Sequence, residues 1–367
     1  MFVETFADIC PDAVNEMLYR FVQAMSTEQI KQIKEGRRNI VWTLSHLCFI
    51  PDLFDKSART TLMFAVAENE EFSNNATGIF ISLFPIMLPA TSVSLDARLH
   101  FLQTMIDIPS YKQVIMRALG RATLTRDFIY FRGAEEIGGR ENKNYVPQTR
   151  AEIIRYIKGC LDLIKKEIES DSAIKLEAIK VVEENTITLC DSGYASLVLP
   201  IVEMVCSIQN NKWERMRHHL SLFRNKLQIK MTDEENDKYD TIINLLTSDD
   251  VVSKYARIEK ECFYTDLKMP FEEQQKHKQQ KYKALAEEII SKSQLTKDIL
   301  SEIACSDVIA DRIFGETLAA KMSSEEQLQF IKDYVEVCNL NENAKSSILV
   351  DFVAKVDDEV FNYSIKI

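Results

Sequence analysis

Residues 150–169 read RAEIIRYIKGCLDLIKKEIE, and Ile153, Ile154, Ile157, Leu161, Ile164 and Ile168 fall three or four positions apart over four turns. That period puts the apolar residues on one face of a helix and leaves Lys and Glu for water. The segment sits at the edge of a glycine-poor region. After Gly159 only Gly193 and Gly315 occur, where average usage of roughly 7% would give many more. Loops there must be short and the helices closely coupled, which is the texture of stacked helical hairpins.

Working outward, the same period recurs. Pro11-Asp12 opens a helix carrying Val14, Met17, Leu18, Phe21 and Met25, Pro being suited to a first turn whose N–H has no partner. Ser26-Thr27 offers a cap, and Gly36 ends the short segment after it. Residues 40–48 are apolar nearly all round, the mark of a helix between layers. Pro51-Asp52 starts another, with Leu53, Phe54, Ala58, Leu62, Ala65 and Val66 on one side. Ser73-Asn74-Asn75 is a break and a cap. Ile79, Phe80, Leu83 and Met87 make the next stripe, and Ser94 begins a helix with Leu99, Leu102 and Ile106. Later segments run at about 173–184, 194–208, 213–227, 234–246 and 251–264. Pro270 opens a helix whose first half, Glu272 to Lys283, is nearly all Glu, Gln, Lys and His, and which should project into solvent.

The expected fold is all-α, an irregular α-solenoid of degenerate HEAT or armadillo type, with about fifteen helices and no strand. Between Thr125 and Gln148 the period fails, and Gly133, Gly138, Gly139 and Pro147 cluster there. A loop of this length inside a helical array tends to be functional or disordered. It suggests an N-terminal helical block over 1–124, a loop over 125–148 and a C-terminal array over 149–367.

Composition excludes several classes. With 46% hydrophobic and 28% charged residues the chain is globular. A net charge of −11 argues against bulk electrostatic nucleic-acid binding. The eight cysteines stand singly without CxxC spacing and read as buried thiols of a cytoplasmic protein. Residues 1–25 lack the basic end and apolar core of a secretion signal. The apolar stretch from Gly78 to Ala90, broken by Pro85 and Pro89, is too short to span a bilayer.

Candidate chemistry is thin. Gly133 to Arg140 has the GxxxxG spacing of a phosphate loop, but Gly139 and Arg140 stand where Lys and Ser or Thr are needed, and Glu135 and Glu136 would repel phosphate. His218 and His219 point about 100° apart on a helix, a poor pair for one metal. Glu68, Glu70 and Glu71 form an acidic cluster at a helix end. The one composition typical of an interface is Arg121, Arg126, Arg132 and Arg140 interleaved with Phe128, Tyr130, Phe131 and Tyr145. These eight are the candidate partner-binding residues. No catalytic, cofactor or metal residue is nominated. An enzyme site around residues 117–148 and a nucleic-acid-sensing array are the alternatives.

Within the first 110 residues, Asp8-Ile9-Cys10-Pro11-Asp12-Ala13, Asn39-Ile40-Val41-Trp42-Thr43-Leu44 and Pro51-Asp52-Leu53-Phe54 occur in order. Ser73-Asn74-Asn75-Ala76 with Leu83-Phe84, and Leu88-Pro89-Ala90-Thr91 leading to Arg98-Leu99, follow. This block resembles the helical region downstream of the NTPase core in large bacterial STAND-type P-loop NTPases, several of which act in antiphage defence. The resemblance implies a noncatalytic sensor or scaffold that binds a protein, such as an NTPase or effector domain or a phage protein. Trp42, Phe54 and Phe84 are then packing positions. The chain departs from the full-length pattern in having no Walker A loop, so ATP hydrolysis does not carry over, and no cofactor is expected. It reads as an excised piece of such a protein or as a separate sensor.

Overall fold

The computed structural model describes residues 2–126, 136–137, 140–141, 143–170, 172–223, 231–247, 250–264, 270–306 and 312–364. Among them the fold is all-α, with twenty α-helices and two single-turn 3-10 helices. The one extended pairing described is two residues long, with Glu136–Ile137 antiparallel to Arg140–Glu141. No described helix is long and apolar enough to cross a membrane.

By contacts the chain forms two compact units, Met1–Gln209 with Leu227–Asp240, and Asn210–Lys226 with Thr241–Ile367. The described residues of the stretch 125–148, which the sequence suggests as a boundary, fall in the first unit.

In the first unit the caps fall where short polar side chains stand. Ser26 and Gln29 form a reciprocal capping box on the Thr27–Gln32 helix. Asn75 and Ser94 cap the Ala76–Ile81 and Leu95–Met105 helices. Gly36 takes a left-handed φ of 75° and starts the Arg37–Leu47 helix, a conformation glycine adopts without steric cost. The stripe expected to run from Ile79 to Met87 breaks early, because the helix ends at Ile81. Pro85 has no N–H to donate and disfavours the α conformation of Phe84 before it. Leu83 and Phe84 are nevertheless buried, while Met87 is exposed.

The rings of Phe54, Phe80, Phe84 and Phe101 fill the centre, with centroids 5.1–6.2 Å apart. Trp42 is only half-buried, and the Arg38 guanidinium lies 4.5 Å from its ring. Farther along, the Leu95–Met105, Arg150–Glu169 and Ala195–Ile208 helices pack in succession, as do Lys112–Ala122 and Lys175–Asp191. Helices two apart in sequence are thus neighbours, and consecutive ones also touch.

The second unit repeats this alternation. Phe271–Ser291, Arg312–Lys321 and Ser347–Val353 pack in one row, and Val251–Tyr264, Lys297–Ala304, Ser324–Leu340 and Asp358–Ser364 in another. Tyr255, Tyr282 and Phe314 form an aromatic triad with centroids 5.2–5.9 Å apart, and Phe330 stacks on Phe352 at 4.1 Å. No side chain from Phe271 to Lys281 is buried, as the polar composition of that half-helix implies. Tyr282 is its first buried residue.

Candidate functional site

Of the eight candidate interface residues, Phe128, Tyr130, Phe131 and Arg132 lie outside the described residues, and Arg140 is described only as backbone in its short strand. The other three take their places in the first unit. Arg121 is half-buried in the last turn of the Lys112–Ala122 helix. Arg126 and Tyr145 hold the two ends of the stretch between them.

At the leading end, Asn185 donates to the Gly120 carbonyl at 2.7 Å and to Thr123 Oγ1 at 2.8 Å, closing the helix end. Thr125 Oγ1 donates to the Thr188 carbonyl at 2.8 Å and accepts from Ser192 Oγ. Arg126 then pairs with the buried carboxylate of Asp191 and donates to the Asp191 carbonyl at 3.3 Å. Asp191 is the last residue of its helix, where the helix dipole disfavours negative charge. The guanidinium answers both the carboxylate and the dipole. The Glu136–Ile137 strand lies beside the Phe2–Ile9 helix.

At the trailing end, Tyr145 N–H donates to the Thr91 carbonyl at 2.9 Å, and its phenol donates to Glu152 Oε1. Glu152 Oε2 accepts from Gln148 N–H at 3.1 Å, while its own N–H donates to Thr149 Oγ1 at 3.2 Å. Thr149 caps the Arg150–Glu169 helix. Residues 143–149 therefore form a strap tied to the first turn of that helix.

Beneath the strap lies Arg98, fully buried, its guanidinium 5.7 Å from the Tyr145 ring and 5.5 Å from that of Tyr156. Nη1 donates to the carbonyls of Leu83 and Pro85 at 3.1 and 2.7 Å. Nε and Nη2 find no hydrogen-bond partner among the described residues. Burial lowers the Arg98 pKa, opposed by the charges and dipoles of Tyr156, Cys160, Tyr145 and Glu152. The cation faces two aromatic rings, an arrangement that favours guanidinium over ammonium.

The acidic cluster at Glu68 and Glu70 has a similar explanation. Glu68 Oε1 lies 3.5 Å from Arg37 Nη2, and Glu70 Oε2 lies 3.7 Å from Arg37 Nε. Arg37 is buried and donates to the carbonyls of Ile30, Phe64 and Ala67 at 2.9–3.1 Å. Glu68 also accepts from the N–H groups of Asn69, Glu70 and Thr77. Nothing in the residue pattern marks Arg37 as a hub or Arg98 as an anchor. For Glu152 a signal existed: Thr149-x-x-Glu152 is the capping-box spacing. The arginines gave no such signal, Arg37 standing among Lys34, Glu35, Gly36, Arg38 and Asn39 and Arg98 between Ala97 and Leu99.

His218 and His219 have ring centroids 6.3 Å apart, and no group of three potential metal ligands occurs among the described residues. Cys48, Cys160, Cys190 and Cys206 are buried thiols, while Cys10 is exposed. Burial pushes Cys48 and Cys190 up to about 12, and Cys206 to about 11. Such thiols are poor nucleophiles. Of the phosphate-loop lookalike, residues 133–135 and 138–139 lie outside the described residues.

Two outcomes follow for the strap. Tyr145→Phe removes one hydrogen bond to a carboxylate and should cost about 1.5–3 kcal/mol at most, read as faster amide exchange over residues 143–149. Burial raises the Glu152 pKa, but the bonds from Tyr145 and Gln148 and the charges of Arg155 and Arg98 outweigh it and hold it low. A depressed carboxylate stabilises the fold above its unfolded pKa and loses that contribution as pH falls through the folded one. Acidification below the ordinary carboxylate range should therefore loosen the strap, and Glu152→Gln should flatten this pH dependence in the same exchange measurement.

No family model matches the chain, and no match was found among curated proteins or solved structures.

Proposed function

We propose that this chain is a noncatalytic helical-repeat module of a bacterial STAND-like system, of the kind used in antiphage defence. It binds a protein partner through the surface around residues 121–148. The alternation of helices carries the reading. In each unit, helices two apart in sequence lie side by side, and in the first unit consecutive helices touch as well, a pattern in which each pair can bury its apolar stripe on the next. That arrangement supports reading the all-α chain as an irregular HEAT- or armadillo-like solenoid, an architecture that offers extended surface in place of a deep pocket.

The charged groups that chemistry would need support the same view. Glu68 and Glu70 face Arg37, Asp191 faces Arg126, and Glu152 faces Tyr145. Each is committed to holding the fold. Residues 125 and 126 at one end of the proposed surface and 145–148 at the other are tied to neighbouring helices, which fixes the described part of that surface before a partner arrives and lowers its ordering cost.

Purified chain should show no ATP turnover above a buffer blank, and tagged chain should retain a protein after a high-salt wash. Stoichiometric turnover that survives further purification would overturn the proposal.

A further inference from the structure

In the second unit an open cleft of about 220 Å³ lies between two successive helix pairs. The turn from Phe271–Ser291 into Lys297–Ala304 forms one wall, and the start of Ser324–Leu340 forms the other. Its floor is apolar, with Leu295, Leu300 and Phe330. Its rim carries Glu326, Gln329 and Asp333, which at i, i+3 and i+7 share one face of their helix. The volume is below the ~300–1,000 Å³ of a typical small-molecule site and suits one or two inserted side chains.

The rim is negative and part of its charge is uncommitted. Glu326 Oε2 accepts from Ser323 N–H and Oγ at 2.8 Å, closing the capping box. Asp333 Oδ1 accepts from Gln329 Nε2 at 2.9 Å and faces Lys297 Nζ at 3.3 Å. The other oxygen of each carboxylate has no partner among the described residues. Lys297 also serves Glu336 at 2.6 Å, so one cation answers two carboxylates. The chain as a whole carries −11, which steers cationic partners toward it.

We propose that this cleft binds a basic segment of a partner protein, with an apolar side chain on Leu295, Leu300 and Phe330 and a flanking Lys or Arg between Glu326 and Asp333. The site is separate from the 121–148 surface and does not depend on that assignment. Charge complementarity selects the occupant, because an acidic or neutral segment would leave the rim carboxylates unanswered.

The test uses a fluorescein-labelled peptide alternating leucine with lysine, a counterpart with glutamate for lysine, and fluorescence anisotropy on the full chain. The lysine peptide should bind with a salt-dependent Kd, and the glutamate peptide should not bind. Glu326→Gln with Asp333→Asn removes the charge yet keeps the capping box and the Gln329 bond, and should weaken binding about tenfold. Gln329→Arg, at an exposed position, should weaken it at least as much with the melting temperature held. Glu272→Gln with Glu273→Gln, outside the cleft, should change affinity less than twofold. Absence of lysine-peptide binding at millimolar concentration would overturn the proposal. Equal binding by the charge-neutral cleft variant, or an equal loss in the Glu272 and Glu273 control, would do the same. So would self-association abolished by Gln329→Arg, which would give the cleft to a second copy.

Discussion

Replacing Arg37 by Ala is expected to lower the stability of the first unit by about 3–5 kcal/mol, the range for removing one partner of a buried charge pair. The guanidinium gathers three backbone carbonyls, from Ile30, Phe64 and Ala67, and stands against Glu68, Glu70 and the ring of Phe64 at 5.0 Å. Phe64 lies in the last turn of the Phe54–Val66 helix and Ala67 is its C-cap, where carbonyls lack intrahelical donors. Truncation strands those acceptors together with two partly buried carboxylates. Arg37→Lys should recover only part of the loss, since one ammonium cannot span the same fork of acceptors. Amide exchange in the Phe54–Val66 helix, followed through a urea titration, measures the effect locally. A change below 1 kcal/mol would mean that Arg37 is incidental to the packing.

The second large effect is expected at Gly315. A Cβ there would lie 2.8 Å from the Ile348 carbonyl oxygen and 3.0 Å from both Asp351 Cβ and Phe352 N. Two of the three obstacles are backbone, so the Arg312–Lys321 and Ser347–Val353 helices would have to separate. Overpacking costs typically about 1–3 kcal/mol and occasionally more, and this site belongs at the upper end. Against it, alanine regains about 1 kcal/mol of helix propensity. The net expectation for Gly315→Ala is a loss of about 2 kcal/mol in the second unit. Gly159→Ala is the contrast. Its Cβ would meet Leu99 Cδ2 at 2.3 Å, but Leu99 is half-buried and its end can swing aside. The propensity gain then nearly cancels the clash. Equal losses at the two glycines, read from urea melts, would show that backbone approach is not what limits Gly315.

These positions mark how far the sequence could be read. Periodicity found the helices because apolar spacing is local, and Ser26, Asn75 and Ser94 announced their caps for the same reason. The scarcity of glycine beyond Gly159 was plain, yet the reason for Gly315 was hidden, since it depends on a carbonyl 33 positions away at Ile348. Arg37 and Arg98 were hidden likewise. An arginine is buried only where tertiary structure brings carbonyls or rings to it, and Phe64 and Ala67 reach Arg37 across 27 and 30 residues.

Proline supplied the main error of extent. The stripe through Met87 had a helical period, but Pro85 overrode it. At the candidate site, composition singled out Arg126 and Tyr145 as partner-binding, and the fold also engages both internally. Residue type alone does not separate an anchor from a contact, because aromatic and Arg side chains serve either purpose.

Hydrogen exchange on the chain captured with its partner tests the proposed role most directly. A protein bound at the 121–148 surface should slow exchange at the Tyr145 and Gln148 amides and around Arg121. Slowing confined to other surfaces, or a chain that turns over substrate while holding no protein, would contradict it.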